Sequence, residues 1–149
     1  MSGAAYALRE TVIRSATKEV VIGHERPFCI IGERINPTGR KIFQEALRAG
    51  DLSLIEKDVA AQVAGGADVL DVNMGVPLTD EAELLEKAIR LVQSLTDLPI
   101  CIDSSVVEAL EAGQANGCAV GLGTGNVKSG AMTKLRRVGI HQRFDFGGF

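Results

Sequence analysis

A repeating unit of one short apolar run, one polar turn and one helical stretch constrains the fold of this 149-residue chain more than any other feature. Three apolar runs end in Gly, Pro or Ser turns, and they lie at residues 28–31, 67–73 and 98–102. Short, β-branched runs of this kind are typical of buried parallel strands. Apolar residues at helical spacing occupy the segments between them. The alternation predicts a right-handed parallel α/β fold.

Four helices are predicted between and after these strands, at about residues 40–49, 53–64, 80–95 and 105–113. Three pairs have capping-box spacing at a helix start: Ser53 with Glu56, Asp80 with Glu83, and Ser105 with Glu108. Gly65 and Gly113 are expected to end two of the helices. The predicted inner stripes are Ile42, Phe43, Ala46 and Leu47; then Leu52, Ile55, Val59 and Val63; then Leu84, Leu85, Ala88, Ile89, Val92 and Leu95.

An acidic residue follows or ends each predicted strand. Glu33, Asp71 and Asp103 lie 38 and 32 residues apart, about one strand–helix unit each time. Ligands of parallel α/β folds bind at the carboxyl ends of the strands, so these three acids are expected to converge there. The alternative is that they are solvated or cap the following helix. Asp71 argues against that alternative, because a carboxylate inside an apolar strand needs a partner or ligand donors.

Three stretches carry a resemblance to a known family: residues 31–41, 67–73 and 99–105. They resemble, in order and spacing, the pterin-binding methyltransferases, which move a methyl group from methyltetrahydrofolate to a cobalamin (corrinoid) protein. A similar domain occurs in cobalamin-dependent methionine synthase and is related to dihydropteroate synthase. The resemblance covers about residues 20–113. It implies a TIM-barrel pterin-binding domain with the pterin at the carboxyl mouth of the barrel.

The resemblance implies a role for five site residues. Asp103 is the candidate to accept two parallel donors of the pterin, its ring N–H and its exocyclic amino group, as a bidentate pair. Asp71 and Asn73 would complete the polar floor, where Asn both donates and accepts. Glu33 and Asn36 begin the first loop. For Asn36 and the nearby Thr38, an ordinary Asn-Pro-Thr-Gly turn explains the sequence equally well.

The implied substrate is a tetrahydrofolate, and the implied cofactor is a cobalamin carried by a corrinoid partner protein. The reaction would be displacement of the methyl carbon by Co(I), assisted by proton donation or hydrogen bonding at the pterin nitrogen N5. Members of this family place an Asn of the fourth strand near that nitrogen. Asn126 lacks the surrounding motif, so the catalytic residue is not assigned.

Composition changes near Gly113. Residues 1–113 hold 11 basic and 18 acidic side chains, whereas residues 114–149 hold 5 basic, 1 acidic and 8 of the 17 glycines. We therefore predict an N-terminal extension (1–22), a partial pterin-binding domain (23–113) and a Gly-rich basic tail (114–149). A TIM barrel needs at least about 200 residues, so three to four βα units of an incomplete barrel are expected. The working hypothesis is a truncated or frame-shifted version of a longer enzyme.

Two other functions remain open. A dihydropteroate synthase-like enzyme shares the superfamily, although its first-strand loop normally differs from the one at 33–39. A non-catalytic fragment is the second alternative, because unpaired strand edges invite pairing with another chain. The family often forms homodimers, so a homodimer is a further expectation.

Several classes are not expected. No apolar run reaches the roughly 18 residues of a membrane span, and three scattered cysteines point to a reducing cytoplasm rather than to disulfides. Cys29 and Cys101 are predicted to be small hydrophobic residues in buried strands, with no metal site. The basic tail is interpreted as a solvated surface rather than a nucleic-acid site.

Overall fold

A computed structural model describes residues 10–117, together with the backbone of two short strands at 122–123 and 147–148. The elements are, in chain order, β1 (Thr11–Arg14), β2 (Glu19–Ile22), β3 (Ile31–Ile35), α1 (Lys41–Arg48), α2 (Ser53–Ala64), β4 (Val69–Val72), α3 (Glu81–Leu95), β5 (Ile100–Ile102), α4 (Val107–Ala115), β6 (Leu122–Gly123) and β7 (Gly147–Gly148). The last two strands pair with each other in parallel. The tail predicted at 114–149 lies mostly outside the described residues.

The central sheet is parallel, with strand order β3-β4-β5. Leu70 pairs with Ile100 and Val72 with Ile102, so β4 and β5 run in simple register. Helices α1 and α2 connect β3 to β4, and α3 connects β4 to β5. The predicted α/β fold with an incomplete barrel is confirmed, since β3, β4 and β5 form an open three-stranded parallel sheet that does not close into a barrel.

The core lies between one face of this sheet and the helices. Leu70 and Val72 of β4 and Ile35 of β3 are fully buried there. The helices contribute Phe43, Leu47, Ile55, Val59, Leu84, Leu85, Ala88, Ile89, Val92 and Ala109. Each fully buried Val, Leu, Ile or Phe side chain stabilises the fold by about 1.5–3 kcal/mol relative to the same side chain left exposed. Val69 and Asp71 of β4 alternate to the opposite face of the sheet.

Burial is confirmed for most residues of the predicted inner stripes, but the prediction for Ile42 is wrong. Its side chain is 76% exposed, whereas Phe43 and Leu47 of the same helix are buried. Residues four apart share a helix face, and Ile42 is rotated away from that pair by about 100°. Val63 and Leu95, at the ends of their stripes, are also partly exposed.

The helix boundaries follow the sequence at some ends and not at others. Asp80 is confirmed as the N-cap of α3, because its Oδ1 accepts from the Glu83 N–H at 3.0 Å. The cap predicted at Ser53 is wrong, since Ser53 is already helical and the N-cap is Leu52. The backbone N–H of Ser53 instead donates to Asp51 Oδ1 at 2.9 Å. Ser53 was expected to provide the side-chain acceptor at the start of α2. Asp51, which precedes the helix, provides it instead.

The start and end of α4 also differ from expectation. Its N-cap is Val106, and Ser104 Oγ, rather than Ser105, accepts from the Val106 N–H at 3.0 Å. The helix continues past Gly113 to Ala115. Gly113 is needed inside the helix because a Cβ there would lie 2.2 Å from Ile102 Cδ1. Close packing of α4 on β5 therefore explains this glycine.

Two features at the beginning of the chain were missed. The first strand of the sheet runs from Ile31 to Ile35 rather than over 28–31, and Phe28 is 89% exposed. Upstream, β1 and β2 form an antiparallel hairpin inside the segment predicted as an extension. Two β-branched runs separated by the turn at 15–18 were the available signal.

No helix in the described part of the chain combines the length and the apolar character that crossing a membrane requires.

Candidate functional site

The carboxyl ends of β3, β4 and β5 meet at one edge of the sheet, and polar side chains gather there. The backbone N–H of Asp103, just after β5, donates to the Val72 carbonyl at 3.1 Å. The backbone N–H of Asn73, just after β4, donates to the Ile35 carbonyl at 2.9 Å. These two bonds hold Asn73 and Asp103 at the same edge of the sheet, just after neighbouring strands.

Asn73 and Asp103 are directly bonded. Asn73 Nδ2 donates to Asp103 Oδ2 at 3.1 Å, and Asn73 Oδ1 accepts from the Gly75 N–H at 2.9 Å. The two contacts fix the orientation of the amide, which would otherwise rotate freely. One N–H of Asn73 remains for a ligand, and Asp103 is exposed with most of its acceptor capacity unused. The pair presents a fixed donor beside a carboxylate.

Asp71 is the buried member of this group, with only 9% of its surface exposed. Leu70 and Val72 point into the helix-side core, so alternation along β4 directs Asp71 to the opposite face. Burial, with a smaller contribution from the charges of Asp103 and Glu33, raises the pKa of the Asp71 carboxyl to about 6, even though a hydrogen bond from Cys101 acts in the opposite direction. The expectation that Asp71 has a partner is confirmed by this bond.

Cys101 corrects one expectation from the sequence. It was predicted to be a buried hydrophobic residue, but it is exposed. Ile100 and Ile102 of β5 pack against the helix-side core, so Cys101 alternates to the other face, where its strand register places it opposite Asp71. Cys29 precedes β3 and is half-buried, and burial raises the pKa of its thiol.

Glu33 and Asn36 lie on the first strand and its loop. Glu33 is exposed and close enough to Asp71 to raise the pKa of that carboxyl. Asn36 Oδ1 accepts from the Thr38 N–H at 2.9 Å, and the Arg40 N–H donates to the Pro37 carbonyl at 3.0 Å. Asn36 therefore makes the contact that the turn interpretation expects, and its role toward a ligand stays a prediction.

The end of β3 is irregular, and two residues that sequence reasoning did not single out explain how it is held. Pairing with β4 is interrupted between Gly32 and Ile35. Within this interruption, the Arg34 N–H donates to Gln62 Oε1 of α2 at 2.7 Å. A Cβ on Gly32 would lie 2.6 Å from the same oxygen. Glycine at position 32 is what allows Gln62 to reach the strand.

Gly32→Ala is expected to lower the free energy of unfolding by about 1–3 kcal/mol, because the new methyl group displaces the Gln62 amide and breaks its bond to Arg34. Urea denaturation followed by circular dichroism measures this. The matched control is Gly32→Ala combined with Gln62→Ala, in which the clash is absent. The double variant should lose less than the sum of the two single losses. Strict additivity would contradict the close contact.

Among the described residues, no group of three or more His, Cys, Asp or Glu side chains is placed to hold a metal ion.

Residues 32–122 match the family model described as pterin binding enzyme. The matched range is more than half of the chain, and it includes the whole parallel sheet except its first residue. The chain belongs to the pterin binding enzyme family. All five site residues suggested by the sequence lie within the match, which also continues beyond Gly113. The parallel sheet is thus part of a pterin-binding domain, and its polar carboxyl edge is the candidate pterin site.

Proposed function

We propose that this pterin-binding domain serves a methyltransferase that moves the methyl group of 5-methyltetrahydrofolate to the cobalt of a corrinoid protein. The proposal rests on one observation above all: Asp71, Asn73 and Asp103 lie together at the carboxyl edge of a parallel sheet. The loop sequence at 33–39, which resembles that of the methyltransferases more than that of dihydropteroate synthases, supports this choice within the family.

Asp103 is the proposed acceptor for the pterin ring N–H and the exocyclic amino group. Both donors lie on one edge of the ring, and a carboxylate matches them with two parallel charge-assisted bonds. The bond from Asn73 already holds one Asp103 oxygen at 3.1 Å. That bond reduces the side-chain freedom that binding would otherwise remove, which favours affinity.

Asn73 and Asp71 are the proposed floor of the site. The bonds from Asn73 to Asp103 and from Gly75 to Asn73 fix the orientation of the Asn73 amide and leave one of its N–H groups unused. This N–H can donate to a ring nitrogen or a carbonyl oxygen of the ligand. Asp71 is a buried carboxylate that a ligand N–H would stabilise in its charged form. A flat heterocycle with donors and acceptors on its rim satisfies both groups.

In the proposed reaction the bond from the methyl carbon to N5 breaks, the carbon bonds to cobalt, and N5 keeps the electron pair and takes a proton. The corrinoid of the partner protein supplies the nucleophile. The proposed role of the described residues is to bind and orient the pterin. Orientation of this kind contributes to rate by bringing the reacting atoms together before the chemical step.

The experiment is to supply the purified chain with 5-methyltetrahydrofolate and a reduced corrinoid protein and to follow methylcobalamin formation by its absorbance. A parallel assay supplies a dihydropterin pyrophosphate with p-aminobenzoate. Methyl transfer supports the proposal, whereas condensation in the second assay would assign a dihydropteroate synthase. Pterin binding with neither reaction would leave a binding domain without activity of its own, and no binding by a folded chain would reject the proposal.

A further inference from the structure

Arg40 connects the loop after β3 to helix α2 through several contacts of one side chain. Its Nη1 donates to Asp58 Oδ2 at 2.7 Å and also to the backbone carbonyl of Arg34. Its guanidinium carbon lies 4.6 Å from the centre of the Phe43 ring, a distance at which cation–π attraction is favourable. The Arg40 side chain is 28% exposed, so water competes only in part for these contacts.

Asp58 explains why this arrangement is stable. It lies on the buried face of α2 with Ile55 and Val59, and its side chain is only 11% exposed. A carboxylate buried to this degree needs a cationic partner. Arg40 supplies the close contact, and Arg34 Nε adds a longer one at 3.4 Å from an exposed side chain. Arg40 is therefore the main cationic partner of the buried Asp58 carboxylate.

Helix α2 holds the end of β3 at a second point. Gln62, one helical turn after Asp58, accepts from the Arg34 N–H, while the Arg34 carbonyl accepts from Arg40. Both backbone polar groups of Arg34 are thus engaged by side chains, at the place where pairing with β4 is interrupted. The neighbouring Glu33 lies close enough to Asp71 for its charge to raise the pKa of the Asp71 carboxyl.

We infer that Arg40 and Asp58 are positioning residues of the pterin site. They hold the backbone of residues 33–39 in one place, and that backbone carries Asn36 and also Glu33, whose charge acts on Asp71. Neither Arg40 nor Asp58 contacts the pterin. The inference rests on the proposed pterin site, and it adds that part of the affinity is set by a buried ion pair on the other side of the sheet.

The test measures methyltetrahydrofolate affinity by calorimetry and loop order by amide hydrogen exchange in Arg40→Met and Arg40→Lys. Arg40→Met should weaken affinity about tenfold and speed exchange of the Thr38 and residue-40 amides by a similar factor, because methionine keeps the contact with Phe43 but makes neither hydrogen bond. Arg40→Lys should fall between this variant and the unmodified chain, since lysine keeps the charge without the planar fork.

Glu83→Gln is the matched control, because it breaks an ion pair with Lys87 that lies within α3 and holds no loop. It should leave both readouts unchanged. Unchanged affinity in Arg40→Met would overturn the inference, whether or not exchange becomes faster, as would a general loss of protection outside the loop. If Arg40→Met fails to fold, Arg40→Lys decides by the same two readouts.

Failure of the proposed function gives a different result from failure of the inference. An unmodified chain that binds no pterin rejects the pterin site, and with it the role of Arg40 in affinity. The exchange rates of the loop amides then still show whether Arg40 and Asp58 hold the loop. A chain that binds pterin equally well with and without Arg40 rejects only the inference.

Discussion

Asp71→Asn is expected to stabilise the folded chain at pH 7.5 and at the same time to weaken its binding of methyltetrahydrofolate. The stabilisation follows from removing a charge that burial and the nearby Asp103 and Glu33 disfavour, which is why the pKa of Asp71 is raised to about 6. Asparagine keeps the shape and an acceptor for the Cys101 thiol. The loss of affinity, expected to be about tenfold or more, follows because a neutral amide replaces a charge-assisted acceptor.

The pH dependence of stability has a definite sign for Asp71. Its folded pKa of about 6 lies above 3.8, the ordinary value for an aspartate, so the folded state binds this proton more tightly than the unfolded state does. The resulting stability is fully present below about pH 4 and is lost as pH rises through about 6. After allowing for solvent screening, the loss should be about 1–2 kcal/mol.

Urea denaturation of the unmodified chain and of Asp71→Asn, at pH values from 4 to 8, measures this difference directly. The two free energies should diverge as pH rises through 6, with the variant the more stable at high pH. Asp97→Asn is the matched control, because Asp97 is exposed and precedes β5 at the opposite edge of the sheet. A difference between Asp71→Asn and the unmodified chain that does not change with pH would contradict the raised pKa.

Asp103→Ala is expected to weaken methyltetrahydrofolate binding at least about 100-fold, through the loss of two charge-assisted hydrogen bonds to the pterin. Stability should change little, because Asp103 is exposed. The bond from Asn73 is lost too, but the Asn73 amide remains held by Gly75. Isothermal titration calorimetry gives the affinity, and thermal unfolding with and without ligand gives an independent check.

Two further variants make the Asp103 result specific. Asp97→Ala removes an acid that precedes β5, whereas Asp103 follows β5, and it should leave the affinity for methyltetrahydrofolate unchanged. Asp103→Asn keeps one acceptor oxygen and should lose less affinity than Asp103→Ala. Wild-type affinity in Asp103→Ala would remove Asp103 from the site and with it the proposed bidentate contact.

The sequence predicted the order of the elements well because the relevant signals are local. The apolar run at 67–73, for example, contains β4, and the Asp80–Glu83 spacing correctly placed the start of α3. Errors occurred where a local pattern has two solutions. Ser53 and Asp51 could each provide the first acceptor of α2, and in the structure Asp51 Oδ1 accepts from the Ser53 N–H.

The candidate site was predictable in its location but not in its contacts. The position of Asp71 inside an apolar strand indicates a buried carboxylate. The parallel arrangement of β4 and β5 then brings Asp71 near Asp103. Nothing local indicates that Cys101 is its hydrogen-bond partner, because that pairing depends on the register between β4 and β5. The link from Arg40 to Asp58 likewise joins the residue before α1 to a residue of α2, 18 positions along the chain.

Periodicity and turn chemistry act over a few neighbouring residues, so the amino-acid sequence was enough to predict the alternation of strands and helices. It also placed an acid within or just after each strand of the parallel sheet: Glu33 in β3, Asp71 in β4 and Asp103 after β5. Tertiary structure alone decided which polar groups bond across neighbouring strands, namely Cys101 with Asp71 and Asn73 with Asp103. Those outcomes depend on strand register and on the rotation of each helix, which are set by packing across the whole core. The pKa of Asp71 and the fixed amide of Asn73 are consequences of that packing.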